Sequence, residues 1–362
     1  PTQGLASLMI LALFERLGVK EAEGFDHIHG LVEATKQAFL VRDHIIGDPA
    51  LMREDPALYL DAKKLDELAK RIDPAKALPW PQPASAGDTV WLGAIDANGL
   101  AVSFIQSIYF EFGSGCVLPQ TGIVWQNRGA SFALSGTGPR VIGAGRKPFH
   151  TLNPAMAYFQ DGRIMVYGTM GGEGQPQTQS ALFSRYGLFG QGLQAAVTAP
   201  RWLLGKTWGE DSVTLKLENR FSPALVEKLR AAGHRLEMLT DYTSTMGHAG
   251  AVVLHPNGML EGGHDPRADG GAGLVTLALP DGGAQPMEPR RRGVLIGRRP
   301  VGLELVDPVQ RHIEPVAALV LDHHGLDRAL AGVDRVHAAV DADAVLQVHD
   351  EVAGLEVVEE PL

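Results

Sequence analysis

Gly87-Asp88-Thr89-Val90-Trp91-Leu92-Gly93-Ala94-Ile95, then Asp96-Ala97-Asn98-Gly99, then Leu100-Ala101-Val102-Ser103-Phe104-Ile105-Gln106-Ser107: the fold turns on how this stretch is read. Two apolar runs flank an Asn-Gly pair, a strong hairpin signal because both residues tolerate the positive φ of a tight turn. Upstream, Pro79, Pro81 and Pro83 with Ala84-Ser85-Ala86-Gly87 suit neither a helix nor a central strand. An extended linker therefore delivers Thr89 to the first position of a buried strand. A break just before Thr89 frees an α-amine beside its own hydroxyl, placing nucleophile and base in one residue.

The rest of the chain bounds what surrounds that hairpin. It has 362 residues, 45% hydrophobic, 20% charged and 6% aromatic, the composition of a globular protein with one or two substantial cores. A net charge of −10 argues against a general nucleic-acid or membrane-surface binder. Cys116 is the single cysteine, which excludes an intrachain disulfide framework. The longest apolar run, Leu5 to Phe14, is too short to span a bilayer and reads as a core helix. The sequence opens at Pro1 rather than Met, so it reads as a fragment or processed product, with any signal peptide upstream.

Up to about Lys76 the pattern is helical. Leu8, Leu11 and Leu13 lead to a stop at Gly18. Asp26 is the expected cap of a second helix whose Ile28, Leu31, Val32, Thr35, Phe39, Arg42 and Ile46 share a face. Leu65, Leu68, Ala69 and Ile72 mark a third helix, ending at Asp73-Pro74. From Thr89 the pattern turns to strands at 89–95, 100–108 and 122–126, and a hairpin from Met156 to Tyr167 turning at Asp161-Gly162. Helices follow at 176–187 and 192–198, and another from Ser222-Pro223; strands at 250–255 and 259–262 turn at Pro256-Asn257-Gly258. This order predicts a layered α+β domain rather than alternating βαβ units. After about Gly273 the texture changes, and 274–362 is an unassigned tail.

Taken singly, the chemical signals are weak. A strand-initiating threonine is usually only a β-branched residue where it packs well. Tyr167-Gly168-Thr169-Met170-Gly171-Gly172-Glu173-Gly174 joins a strand to a helix, and its glycines let backbone N–H groups approach an anion or oxyanion; alone it reads as a flexible turn. Gly205-Lys206-Thr207 lacks the upstream glycine of a phosphate loop, since Pro200 stands there. The 13 histidines form no convincing metal site: His27 and His29 lie two apart on a helix, and His323-His324 falls in the tail. Arg128 follows an apolar run, where a charge is usually solvated but where carboxylate clamps also sit.

Together and in this order, the pieces resemble the γ-glutamyltransferase family of N-terminal-nucleophile hydrolases, over residues 1 to about 273. Pro1-Thr2-Gln3-Gly4, Glu33-Ala34-Thr35-Lys36-Gln37-Ala38-Phe39 and Gly47-Asp48-Pro49 resemble the end of the family's large subunit. Thr89 aligns with the residue that begins the small subunit. Phe112-Gly113-Ser114-Gly115, Pro148 to Pro154, Gly171-Gly172 and Asp265-Pro266-Arg267 match later motifs. The resemblance implies a four-layer αββα sandwich, with residues 1–88 as the C-terminal part of the large subunit and 89–273 as the small subunit. It also implies self-cleavage between Asp88 and Thr89, attack by Thr89 on amide carbonyls, and pairing of the two pieces afterwards. Ser107 takes the place of the hydroxyl that holds the new α-amine, and Gly171 and Gly172 that of the oxyanion hole. No metal or organic cofactor is implied.

The substrate grips depart from the family pattern. Tyr109, Arg128 and Ser131 stand where γ-glutamyl enzymes carry the Asn, Gln and Asp that hold the glutamyl carboxylate and ammonium. His150-Thr151 replaces a Ser-Ser pair. Losing the Asp removes the counter-charge for an ammonium, and Arg128 adds repulsion. At an effective dielectric of ~20, like charges ~4 Å apart repel by about 4 kcal/mol before screening. The expected substrate is therefore a small amide bearing a carboxylate and no ammonium; the resemblance implies an oxamate-like one, with hydrolysis or acyl transfer to an amine completing the reaction. The alternatives are a true γ-glutamyltransferase or glutathione hydrolase, and an inactive truncated remnant that stays uncleaved.

Overall fold

The computed structural model describes residues 1–80, 88–96, 98–205, 212–275 and 293–295. Residues 81–87 of the expected linker, Ala97 of the turn, Lys206-Thr207 of the Gly205-Lys206-Thr207 stretch, and 276–292 and 296–362 of the tail lie outside the described residues.

Helices come first. α1 (Gly4–Arg16) buries Ala6, Met9, Ile10, Leu13 and Phe14 and stops at Gly18, whose φ is 65°. α2 (Phe25–Ile45) starts one residue before the expected cap; extended Gly24 precedes it and Asp26 lies in its first turn, where a negative charge suits the helix dipole. α3 (Ala62–Ala69) is capped by Asp61, which accepts the N–H groups of Lys63 and Lys64, and ends short of the expected Asp73.

β1 (Asp88–Ile95) and β2 (Ala101–Tyr109) form the hairpin, paired from Val90↔Gln106 to Ile95↔Ala101. Its turn differs from the expected one. Only Gly99 of the Asn-Gly pair has a positive φ, 82°, and the Asp96 carboxylate holds the turn by accepting Asn98 N–H at 2.7 Å and Leu100 N–H at 2.8 Å. The strand expected at 122–126 reduces to one bridge, Val117↔Val124. The Trp125 carbonyl and N–H are taken up locally by Ser114 and Cys116, which leaves no ladder to extend.

β3 (Ala155–Tyr158) and β4 (Ile164–Thr169) make the second hairpin, turning at Asp161-Gly162 as the sequence predicts. α4 (Gln175–Phe183) runs on through a π-helical turn at Ser184–Leu188 to α5 (Leu193–Thr198). Next come β5 (Trp202–Leu204), β6 (Leu215–Glu218), α6 (Pro223–Ala231) and β7 (Leu236–Leu239), with Ser222 capping α6. β8 (Ala249–Leu254), β9 (Leu260–His264), β10 (Gly273–Val275) and β11 (Gly293–Leu295) close the described chain. β6 and β7 pair in parallel across α6, so one βαβ unit exists where the sequence predicts none. Strands of three and four residues are too short for alternation to reveal them.

Sheet β3-β4-β8-β9 lies at the centre. One face packs Met165, Tyr167, Ala251 and Val253 against Leu182, Tyr186, Leu193 and Val197 of the α4–α5 region. The other face packs Val166 and Val252 against Trp91, Ile95 and Ile105 of sheet β10-β11-β1-β2. α1 and α2 lie against α4. The result is the α+β sandwich the sequence predicts, with three of the four layers among the described residues. The outer face of the β1–β2 hairpin carries Val102 and Phe104, 44% and 46% exposed, at the position of the fourth layer.

A buried ionic cluster ties the end of β9 to the βαβ unit. Arg201 meets Asp265 at 2.5 Å; Arg267 meets Asp265 at 3.0 Å and Glu218 at 2.6 Å. Burial raises the Asp265 carboxyl pKa, but Arg201, Arg267 and two backbone N–H groups outweigh it and hold the value below the ordinary one. The stabilisation is therefore present above about pH 4 and lost as pH falls through the lowered folded value. Asp265→Asn leaves two buried guanidinium groups short of charge and is expected to cost about 3–5 kcal/mol in denaturant unfolding at pH 7. A cost under ~1 kcal/mol would show that the cluster does not hold the fold.

Candidate active site

Trp91, two residues after Thr89, packs β1 against β4. A Cβ on Gly168 would lie 2.2 Å from Trp91 Cδ1, so only glycine lets the indole lie against β4 there. A Cβ on Gly93 would lie 3.1 Å from Val166. Passing from Trp91 to Gly93 thus runs from Gly168 back to Val166. β1 therefore runs antiparallel across the face of β4, towards the end from which the Gly171–Gly172 loop leaves. The Trp91 indole N–H, donated to Ser103 Oγ at 2.9 Å, fixes the ring.

The β1–β2 register shifts between Asp88 and Val90, so that Thr89 stands opposite two residues of β2, Ser107 and Ile108, the pattern of a β-bulge on the partner strand. Thr89 is 5% exposed, and its hydroxyl donates to Ser107 Oγ at 3.1 Å. Ser107 Oγ also accepts the Tyr109 N–H at 2.9 Å. Tyr109 has a φ of 80°, a strained value for a side chain of its size, at the last position of β2. Its ring lies under the Arg128 guanidinium, 3.8 Å from centroid to Cζ.

Arg128 opens a short 3-10 turn rather than following a strand, and Asn127 ties that turn to β2 through Ile108 and Phe110. The guanidinium is 2% exposed. Nη1 donates to Thr151 Oγ1 at 3.0 Å, Nη2 has no hydrogen-bond partner, and no carboxylate among the described residues pairs with it. Burial lowers its pKa to about 10, which still leaves it charged at neutral pH. Next to Thr151, burial and then Arg128 lower the His150 pKa to about 4, so its imidazole is neutral there. Ser131 is half-buried at the end of the Arg128 turn and hydrogen-bonds to none of these residues.

The loop after β4 carries Gly171 and Gly172, both buried, with φ of 117° and 53°. Two successive left-handed residues are a conformation in which glycine carries no Cβ penalty. The sequence reading missed what holds this turn. Gln3 Nε2 donates to Gly172 O at 2.8 Å and to Thr151 O at 2.7 Å. Arg42 Nη1 donates to Gln3 Oε1 at 3.0 Å, and Arg42 Nη2 meets Glu173 at 2.8 Å. Thr89, Ser107, Tyr109, Arg128, Thr151, Gln3 and Gly172 thus form one continuous run of contacts. The residues singled out in the sequence come together here, with Ser131 at the margin.

His29, Glu33 and His234 have metal-ligand spacing, within 4.8 Å of one another, a grouping the sequence reading did not find. Their donors are engaged otherwise. His29 Nδ1 and His234 Nε2 share a hydrogen bond at 2.9 Å, and the Glu33 carboxylate holds Lys36 Nζ at 2.6 Å and Leu78 N–H at 3.1 Å. The Lys36 ammonium supplies the positive charge, and the cluster reads as a clamp on the 73–78 segment. His27 turns away to Ser184, as its spacing from His29 requires.

A family model for γ-glutamyltranspeptidase matches residues 1–275. The chain belongs to the γ-glutamyltranspeptidase family, whose fold its sandwich reproduces. It is 56% identical over 272 residues to the oxamate amidohydrolase proenzyme of Klebsiella pneumoniae, covering 75% of this chain and 52% of that protein. A glutathione hydrolase-like proenzyme of Bacillus subtilis is 41% identical over 273 residues, with the same two coverages of 75% and 52%. Among solved structures, the cephalosporin acylase from Bacillus halodurans superposes with a TM-score of 0.62 at 30% identity, over 74% of this chain and 48% of that one. The chain spans about half the length of the curated relatives it matches. No described helix is long and apolar enough to cross a membrane.

Proposed function

We propose that the protein is a self-cleaving amidohydrolase with Thr89 as nucleophile, acting on a small amide that carries a carboxylate and no ammonium, with oxamate the best fit. The observation that carries this reading is Arg128: a buried guanidinium with no carboxylate partner among the described residues, linked to Thr89 through Tyr109 and Ser107. A buried charge without a counter-ion is costly, and a substrate carboxylate supplies the missing partner. The identity to an oxamate amidohydrolase proenzyme supports the same substrate class.

In maturation, Thr89 Oγ attacks the Asp88 carbonyl carbon. The Asp88–Thr89 C–N bond breaks, and the acyl group passes to the hydroxyl as an ester. Water hydrolyses that ester, leaving an Asp88 carboxylate and a free Thr89 with amine and hydroxyl. In turnover the amine takes the hydroxyl proton as Oγ attacks the substrate amide, and the N–H groups of Gly171 and Gly172 receive the oxyanion. Collapse expels ammonia, which takes the proton from the Thr89 ammonium. Water then frees the acid and regenerates the hydroxyl. Ser107 orients the amine, and Arg128, braced by Tyr109 and Thr151, holds the carboxylate. The large and small pieces remain paired, since Gln3 and Arg42 reach the Gly172–Glu173 turn from the first piece.

The pH profile follows from one group. An ordinary α-amine has a pKa of ~8, so kcat/KM rises as pH passes through about 8 and the base loses its proton. Burial lowers the Arg128 pKa, yet its guanidinium keeps its charge across this range and adds no second limb. The expected profile rises through about pH 8 to a plateau; a profile flat from pH 6 to 9 would overturn the assignment of the base. Substrate class is tested by comparing ammonia release from oxamate with cleavage of a γ-glutamyl anilide. Faster anilide cleavage would overturn the argument from Arg128.

A further inference from the structure

Gln3 occupies the capping position before α1, yet its side chain makes no capping hydrogen bond. It is fully buried and points across the molecule. Its Nε2 lies 2.7 Å from the Thr151 carbonyl and 2.8 Å from the Gly172 carbonyl, and its Oε1 accepts from Arg42 at 3.0 Å. The amide's orientation is fixed, because two carbonyls need donors on one side and a guanidinium needs an acceptor on the other. Two segments far apart in sequence are thereby joined to one nitrogen atom. The first ends in Thr151, whose hydroxyl accepts from Arg128; the second is the Gly171–Gly172 turn.

We propose that Gln3 is a positioning residue that holds the carboxylate clamp and the oxyanion turn at fixed spacing, so that both ends of one small substrate are gripped at once. The proposal rests on the reading of Thr89 and Arg128 given above. In an oxamate-like substrate the carboxylate and the amide carbon are directly bonded. No flexible linker absorbs an error in the distance between the two grips, and a shift of ~1 Å at a reacting centre costs roughly a hundredfold in rate. No other neutral side chain of this reach offers two donors and an acceptor in one plane. Asn is a methylene shorter, and Glu would set a carboxylate against two carbonyls. Arg42 reinforces the arrangement by bonding Glu173, the residue after Gly172.

The test is Gln3→Met, which keeps the length and removes the polar atoms, with Gln3→Asn as a second, milder variant. Amide hydrogen exchange is followed in segments 148–152 and 170–174, and kcat and KM for oxamate are measured per mole of cleaved chain. Both segments are expected to exchange about tenfold faster or more, together, while β9 and α5 keep the parent rates. Per cleaved chain, kcat is expected to fall about 10- to 100-fold, with KM also raised because the clamp loosens. A purely structural role would lower the yield of cleaved chain and leave kcat and KM per cleaved chain at parent values, which would overturn the proposal. Loosening of one segment alone, in the variant that folds, would also overturn it. If the parent releases no ammonia from oxamate, the substrate reading fails, while hydrogen exchange still decides whether Gln3 couples the two segments.

Discussion

Thr89→Ala stays whole: on denaturing gels it runs as a single band, where the parent yields two pieces, the second beginning at residue 89. Alanine has no hydroxyl to attack the Asp88 carbonyl, and an unbroken chain has no free amine at residue 89 to serve as base. One methyl-for-hydroxyethyl change therefore removes both the nucleophile and the step that makes its base. Ammonia release from oxamate is expected to fall by on the order of 10^4-fold or more, as when a covalent nucleophile is deleted from a group of residues that act as a unit. The fold survives, because Trp91 and Ile95 rather than Thr89 fill the space between the two sheets. A Thr89→Ala chain that still splits before residue 89 would remove Thr89 from the mechanism.

Arg128→Met separates substrate recognition from maturation. Self-cleavage uses the Asp88 carbonyl and no substrate carboxylate, so the variant is expected to mature normally. Turnover of oxamate should collapse, since losing the charged partner of a buried carboxylate costs about 2–5 kcal/mol, or roughly 30-fold to several thousandfold in kcat/KM. Stability should move the other way. The guanidinium is buried with one nitrogen unpartnered, and a methionine over the Tyr109 ring removes that burden while keeping an apolar contact. A melting temperature equal to or above that of the parent, together with lost activity, is the signature of a charge kept for function rather than for folding. Parent-level turnover in this variant would overturn the assignment of Arg128 as the clamp.

The hairpin around Thr89 was readable because its signals are local: an Asn-Gly pair between two apolar runs, with prolines upstream that suit no regular element. The helix stop at Gly18 and the Ser222-Pro223 helix start were readable for the same reason. The sheet β5-β6-β7 was not, since strands of three and four residues carry too little periodicity and a parallel pair depends on the intervening helix. At the site, Arg128 was legible as a charge beside an apolar run, and Gly171-Gly172 as a glycine turn. The bulge of β2 opposite Thr89, the ring of Tyr109 beneath Arg128, and Gln3 behind both grips arise from contacts between residues up to 169 positions apart. No local pattern encodes them. In the sequence Gln3 stood only within the Pro1–Gly4 motif, and Arg42 was one more residue on a buried helix face.

The most direct measurement is N-terminal sequencing of the purified protein, paired with intact mass. If the account is right, the C-terminal piece reads Thr-Val-Trp-Leu-Gly from its first cycle, and its abundance tracks ammonia release across preparations. Active material that consists only of unbroken chain, or whose new terminus is any other residue, contradicts it.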